Sequence, residues 1–453
     1  MRASAARRAA REVITRVRER DAYAHETLDA VLREKHLDAR DAGLATRLAY
    51  GVIGARGTLE KAVMRGLSEG TGIEDLVMDA LVIGAYEVLF SATAVHAAVS
   101  ETVELVRDLQ PRAAGLANAA MRRLVESAGD FPWGDADTDT AALARKFGHP
   151  DWLTELLVAD LGREGATEML AADMEPAPFF IAQLPHVGSL QELSEALVSD
   201  GADPQPCVLE GCLVAGEPSA ARRSKTVTER KALVMDAGAQ LAVEIADDPE
   251  AEVLVEVGAG RGSKSLLAAS KAAARRQSLR LVAADLHGFK LEALLGAAQA
   301  LGLPAIETVT VDATSPDSDF GIADGEADVV LIDAPCSGLG TLRRHPDRIW
   351  RAKPEEIESL AALGAALLER CTRLVKPGGF VVYSTCTVAR RENEDVIEGF
   401  LASAAGRGFE LAILADAVPI EWQDFVTADG CFRSHPRAGG PDGHFVARLT
   451  RVQ

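Results

Sequence analysis

From about Glu252 onward, short apolar runs alternate with helix-period segments, and this rhythm leaves the carboxyl half few folds to choose from. The runs lie at 253–258 (VLVEVG), 281–286 (LVAADL), 307–312 (ETVTVD), 328–335 (DVVLIDAP) and 380–386 (FVVYSTC). Helical segments at 264–276 and 355–375 separate some of them. Continuous apolar strands joined by helical crossovers predict a parallel sheet covered on both faces. A late run at 444–449 (HFVARL) follows a Gly/Pro-rich turn and predicts an antiparallel strand at one side.

The amino-terminal part follows a different rule. Ile73, Leu76, Val77, Ala80 and Leu81 recur at helical spacing, then Val95, Val99, Val103 and Val106, and a last helix is expected over 113–127. Strand-like alternation is missing there, so a helical bundle over 1–140 is expected. The Arg- and Ala-rich start is broken by Glu12 and Glu19 and places Ala6, Ala9, Val13 and Val17 on one stripe. It reads as a first helix rather than a cleaved leader. A Gly/Pro/Asp/Thr stretch over 129–140 marks a linker, and 141–240 reads as a small α/β connector whose first strand is FFIAQL at 179–184. A Rossmann-like domain over 241–453 with a mostly parallel seven-stranded sheet completes a multi-domain chain.

In such sheets ligands bind past the carboxyl ends of the strands. The first run ends in Gly258, Ala259, Gly260, Arg261, Gly262, Ser263 and Lys264, opening into a helix. Glycines allow a tight turn and close backbone approach, and a helix start offers free N–H groups. Alone, this pattern is shared by dehydrogenases, methyltransferases and loops that bind nothing. The next run ends at Asp285, where a carboxylate can hold both ribose hydroxyls. The one after ends at Asp312, placed to meet an adenine amino group. Together they point to an adenosine-bearing ligand. The fourth and fifth runs end in Asp333-Ala-Pro-Cys336 and Ser384-Thr-Cys386. Either cysteine alone would pass as a small buried hydrophobe, but two at neighbouring strand ends suit thiolate chemistry. Cys207, Cys212, Cys371 and Cys431 have no such setting, and the spacing of Cys207 and Cys212 without a second pair argues against zinc.

Carbon 5 of cytosine is a weak nucleophile. Addition of a thiolate at carbon 6 makes it enamine-like, a carboxylic group at the base edge supports protonation at N3, and a second thiol can assist elimination. DAPCSGLGTLRRHPD (333–347) and YSTCTVARRENEDVI (383–397) closely resemble the paired signatures of the RNA cytosine-5 methyltransferases. The resemblance implies S-adenosylmethionine as donor, Cys386 as nucleophile, Cys336 as the release thiol, and Asp333 beside both base and donor. It carries the donor contacts onto 258–264, Asp285, Asp312 and Asp333. LVMDAGAQ (233–240) resembles the element that opens this catalytic domain, and the tail from Phe432 to Phe445 resembles its closing motif. Arg47-Leu-Ala-Tyr50-Gly, Glu101 to Glu104 and Asn118 to Arg122 resemble landmarks of the NusB RNA-binding fold. A NusB-like domain fused to this catalytic half is the arrangement of type B small-subunit ribosomal RNA cytosine-5 methyltransferases. Two departures stand out. The first loop reads Gly260-Arg-Gly-Ser-Lys264 where the family has Ala-Pro-Gly-Gly-Lys, and Gly443-His444-Phe445 stands where the family prefers two aromatics.

Lys+Arg 48 against Asp+Glu 68 gives net charge -20, which opposes long-range approach to RNA. The acid excess is uneven: between 151 and 200 only Arg163 faces ten carboxylates, whereas 1–50 carries eleven basic residues against eight acidic ones. Arg343 and Arg344, with Arg390 and Arg391, follow the two cysteine motifs and are expected as a basic rim around a flipped-out base. Six scattered cysteines point to a reduced cytoplasm, and no uncharged apolar run reaches the length of about 18 residues that a membrane span needs; a monomer without a metal is expected. Two other readings stay open at this level. A nicotinamide-dependent dehydrogenase would use the glycine loop and Asp285 but leaves both strand-end thiols unexplained. A non-catalytic RNA-binding factor leaves Asp333, Cys336 and Cys386 without a use. Methylation of another RNA, such as tRNA, is also compatible with the motifs.

Overall fold

A computed structural model describes residues 3–68 and 70–452. It forms two compact units: one runs to Pro176 and takes back Leu342–Ala352, and the other holds Ala177–Thr341 and the chain from Lys353 onward.

The first unit is helical. Its elements are α1 (Ala5–Arg20), α2 (Ala24–Lys35), α3 (Ala39–Gly54), α4 (Arg56–Arg65), α5 (Asp75–Leu89), α6 (Val95–Leu109), α7 (Ala114–Ser127), α8 (Thr140–Lys146) and α9 (Asp151–Asp173), the last broken at Gly162. Helix α5 is apolar nearly all round and lies in the centre, with Leu81, Val82 and Ile83 fully buried. The arginines of α1 have structural work inside this unit. Arg7 Nη2 lies 2.6 Å from the buried Glu87, and Arg18 with Arg56 and Thr15 surrounds the buried Asp79. Such buried carboxylates persist only when paired in this way.

The segment Leu342–Ala352 comes from the catalytic half of the sequence yet packs with this unit. Trp350 Nε1 donates to the Gly54 carbonyl at 2.7 Å, Arg351 reaches the Val17 carbonyl at 3.0 Å, and Ile349 is buried. A Cβ at Gly57 would stand 2.3 Å from the Trp350 ring, so that glycine makes room for the indole.

The second unit begins with an antiparallel sheet of β1 (Phe179–Gln183), β2 (Pro204–Pro206), β3 (Cys212–Ala215) and β4 (Ala232–Val234), in the order β2-β3-β1-β4. Helices α10 (Leu190–Ser199), α11 (Pro218–Arg223) and α12 (Lys225–Thr228) accompany it. The sequence-based connector is thus divided: α8 and α9 fold with the helical unit, and only the part from Ala177 joins the catalytic one.

The main sheet follows α13 (Ala237–Ala246). Its strands are β5 (Val253–Val257), β6 (Arg280–Asp285), β7 (Glu307–Thr310), β8 (Ala327–Asp333), β9 (Val375–Thr385), β10 (Phe409–Leu411), β11 (Phe432–Arg433) and β12 (Phe445–Arg451). The order β10-β12-β9-β8-β5-β6-β7 has seven strands among the described residues, and the short β11 adds an eighth beside β12. Strands β9, β8, β5, β6 and β7 run parallel, while β12 pairs antiparallel with β9. Helices α14 (Ser263–Arg275), α15 (Gly288–Ala300), α16 (Pro354–Cys371) and α17 (Glu394–Ala402) complete the layers. Order reverses between β5 and β8, so their carboxyl ends open a crevice at the switch point. No helix among the described residues is long and apolar enough to cross a membrane.

Candidate active site

The loop after β5 is shaped by backbone constraints. Gly258, Gly260 and Gly262 all have positive φ. A Cβ at Gly258 would come within 2.3 Å of the Asp333 carbonyl oxygen, so the loop lies hard against the end of β8. Gly262 precedes α14 without a side-chain cap, leaving the first N–H groups of that helix directed past the sheet edge. Gly260 N–H donates to Asp285 Oδ2 at 2.9 Å, and His287 N–H donates to Oδ1 at 2.8 Å. Burial works against the Asp285 charge, but these two donors outweigh it and hold the carboxyl below its usual range. Arg261 is exposed beside this loop. Strand β7 stops at Thr310, two residues before Asp312, which is exposed and accepts hydrogen bonds from Thr314 N (3.0 Å) and Oγ1 (2.6 Å).

Across the crevice, Lys264 Nζ lies 2.6 Å from Asp333 Oδ2. Burial opposes the Lys264 charge, yet Asp333 and Glu256 keep its ammonium above the ordinary lysine range. Glu256, in the middle of β5, is fully buried and accepts from Ser265 Oγ. Desolvation raises its carboxyl to about 7 despite the nearby Lys264.

The two strand-end cysteines meet. Cys336 and Cys386 hold their sulfurs 3.4 Å apart, and the Cys386 N–H also points at Cys336 Sγ at 3.4 Å. The pair shares its protons unequally. The hydrogen bond from Cys336 lowers the Cys386 thiol below its ordinary value; burial and Asp333 oppose this, while His444 and Lys264 add to it. The same bond, with burial, pushes Cys336 well above the thiol range. Cys386 is therefore the sulfur poised to be an anion and Cys336 the one that keeps its hydrogen.

Beneath the cysteines lies a brace that motif reading missed. Glu392, buried, accepts from Ser337 N at 2.7 Å and Ser337 Oγ at 2.5 Å, and from Thr387 Oγ1 at 3.0 Å. Asn393 donates to the Thr387 carbonyl and accepts from Thr385 Oγ1 at 2.6 Å. One carboxylate thus ties the Pro-Cys loop to the Thr-Cys loop. Its only trace in the sequence is the polar run RRENED, which reads as a solvated surface.

Of the four arginines expected as a rim, Arg390 and Arg391 are engaged by neighbouring carboxylates. Arg343 is buried and belongs with Arg344 to the segment that folds into the helical unit. Arg390 pairs with Asp395 and Glu398, and Arg391 pairs with Glu358 and Asp395. The acids that follow the second motif, invisible as partners in a linear reading, take up those charges. Among the described residues, no group of three or more His, Cys, Asp or Glu is placed to hold a metal ion.

A glycine loop, a strand-end acid and paired thiols on one sheet edge invite comparison with known proteins. The family described as 16S rRNA methyltransferase RsmB/F matches residues 243–450, and the NusB family matches 4–126. The ribosomal RNA small subunit methyltransferase B of Xanthomonas campestris is 30% identical over 92% of this chain and 90% of its own length. The chain belongs to the RsmB/F methyltransferase family. Its relative in Shewanella oneidensis, of the same name, is 28% identical over 93% of both proteins. The RsmB/F fold is also seen in the crystal structure of PH0851, with TM-score 0.78 at 21% identity and 98% of each chain covered. NSun6 from Pyrococcus horikoshii, solved with SFG, shares the fold over 67% of this chain and 98% of its own, with TM-score 0.56 and 18% identity.

Proposed function

We propose that this RsmB/F member transfers a methyl group from S-adenosylmethionine to carbon 5 of a cytosine in RNA, in the cytoplasm, through a covalent bond between Cys386 and carbon 6. The observation that carries this reading is the contact of two thiols at adjacent strand ends, one disposed to lose its proton and the other to keep it. The names of the Xanthomonas and Shewanella relatives favour small-subunit ribosomal RNA as the substrate.

The loop fits the donor. Gly258 permits a backbone approach that a side chain would block, the start of α14 offers N–H groups, and Asp285 is placed to take ribose hydroxyls. Gly258 to Lys264, Asp285, Asp312 and Asp333 would hold it. When bound, S-adenosylmethionine supplies an electrophilic methyl on a positively charged sulfur. SFG, bound in the NSun6 structure, is an analogue of that donor.

The chain's own residues do the rest. Cys386 Sγ adds to carbon 6 as a thiolate, and the C5–C6 π pair passes to carbon 5, which becomes nucleophilic. Asp333, held by Lys264, faces the N3 edge and stabilises the proton gained there. After methylation the C5–H electron pair forms the double bond as Cys386 leaves carbon 6, the carbon 5 proton passing to Cys336 as Cys336 gives its own hydrogen to the departing sulfur. Cys336, which retains its hydrogen in the free protein, serves the departing sulfur.

The test is bisulfite mapping of ribosomal RNA from cells with the wild-type chain, without it, and with Cys386→Ala. One cytosine is expected to lose protection in the last two. Loss of a mark on tRNA instead would redirect the substrate, and full protection with Cys386→Ala would overturn the nucleophile.

A further inference from the structure

His444 stands where the family's closing motif has an aromatic residue, and its surroundings give it more to do than fill space. The antiparallel register of β12 on β9 runs down to Phe445 opposite Thr385. The residues next to that last pair on the two strands are His444 and Cys386, and the two interact electrostatically. The start of α13 lies against His444. Gly238 is needed there, since a Cβ would lie 2.4 Å from the His444 ring. His444 is buried, and its Nε2 lies 3.3 Å from Asp236 Oδ1. Asp236 is itself fixed: it caps α13 through Gly238 N at 2.9 Å and accepts from Asp442 N at 3.2 Å. A buried imidazole between a carboxylate and a thiol has reason to carry a proton.

We propose that His444, set beside Asp236, is a positioning residue that favours the anionic form of the Cys386 sulfur. This rests on the reading of Cys386 as nucleophile. The groups around the pair are Asp236 and Asp442 on the His444 side, and Cys336, Asp333 and Lys264 on the Cys386 side. Lys264, the other basic group near the thiol, lies 2.6 Å from Asp333. Burial alone would strip the proton from His444, but Asp236 and then Cys386 raise it above the ordinary histidine range. The coupling is reciprocal: each charge sustains the other.

The experiment uses the full chain with His444→Gln, which can still donate to Asp236, and His444→Phe, the family's residue type. Alkylation of Cys386 is followed by peptide mass spectrometry across pH. Both substitutions are expected to move the midpoint upward by about one pH unit, a tenfold loss of thiolate below it. Methyl transfer should lose kcat by a similar factor near neutrality and recover at higher pH, with KM for donor and RNA unchanged. An unchanged alkylation midpoint would overturn the proposal. A midpoint shift in the variants, together with no methyl transfer by the wild-type chain, would instead overturn the functional reading and leave the pair intact. If neither variant folds, histidine NMR on the wild-type chain decides: blocking Cys386 lowers the His444 titration if the charges are coupled, and leaves it in place if they are not.

Discussion

Glu256 sits in the centre of a parallel sheet, where a carboxylate has no water to hold its charge. Its folded-state value of about 7 lies above the ordinary 4.5, so the folded protein favours the protonated form. The sign follows directly. Both states are protonated below the unfolded value, and above the folded value the native chain must carry a buried charge. This group therefore withdraws stability as pH rises from 4.5 towards about 7. Glu256→Gln removes the titration. Melting temperatures across that window are expected to rise for the variant relative to wild type as pH increases. A constant difference between the two would show that Lys264 already compensates the charge. The thiols obey the same physics with opposite outcomes. Cys386 gains from the Cys336 hydrogen bond, His444 and Lys264, whereas Cys386, burial and Glu392 outweigh the Cys386 N–H that favours a Cys336 anion.

At the level of elements, the two cysteine loops are held by a shared carboxylate rather than by their strands alone. Ser337→Ala removes one hydrogen bond to Glu392 and one to Thr387, and leaves part of a buried carboxyl group unsatisfied. A loss of about 1–3 kcal/mol is expected from such a change, measured by denaturant unfolding. Methyl transfer should fall with it, because the distance between the sulfurs depends on that brace. Retained stability with retained transfer would show that the two loops are fixed without it. Such bracing explains what could be read beforehand and what could not. Strands β5, β6, β8 and β9 declare themselves through apolar runs, because burial on both faces demands them. Their carboxyl ends then bring Gly258, Asp285, Asp333, Cys336 and Cys386 to one edge without further information. Partnerships between loops leave no periodic trace. Glu392 and Asn393 look like surface residues in a charged run, and Arg390 and Arg391 look like free cations until Glu358, Asp395 and Glu398 are placed beside them.

Across the whole molecule, sequence order and spatial order part company at one segment. Leu342–Ala352 follows the Pro-Cys motif in the chain but folds with the helices, through Trp350, Ile349 and Arg351. A linear reading assigns residues to the domain around them, so Arg343 and Arg344 were expected at the base pocket. Long-range packing joins that segment to the helical unit. Trp350→Ala deletes the indole and its bond to Gly54, and about 2–4 kcal/mol of destabilisation is expected because the ring is only partly buried. Gly57→Ala should be harmful for the complementary reason, as it collides with the same ring. Thermal unfolding monitored by tryptophan fluorescence checks both, and an unchanged melting curve for Trp350→Ala would deny the anchor. The chemistry assigned to the whole chain comes down to one bond. Incubation of Cys336→Ala protein with substrate RNA and S-adenosylmethionine, followed by nuclease digestion and peptide mass spectrometry, is predicted to find a methylated cytosine attached to Cys386. An adduct on any other residue, or normal turnover by Cys386→Ala, would contradict it.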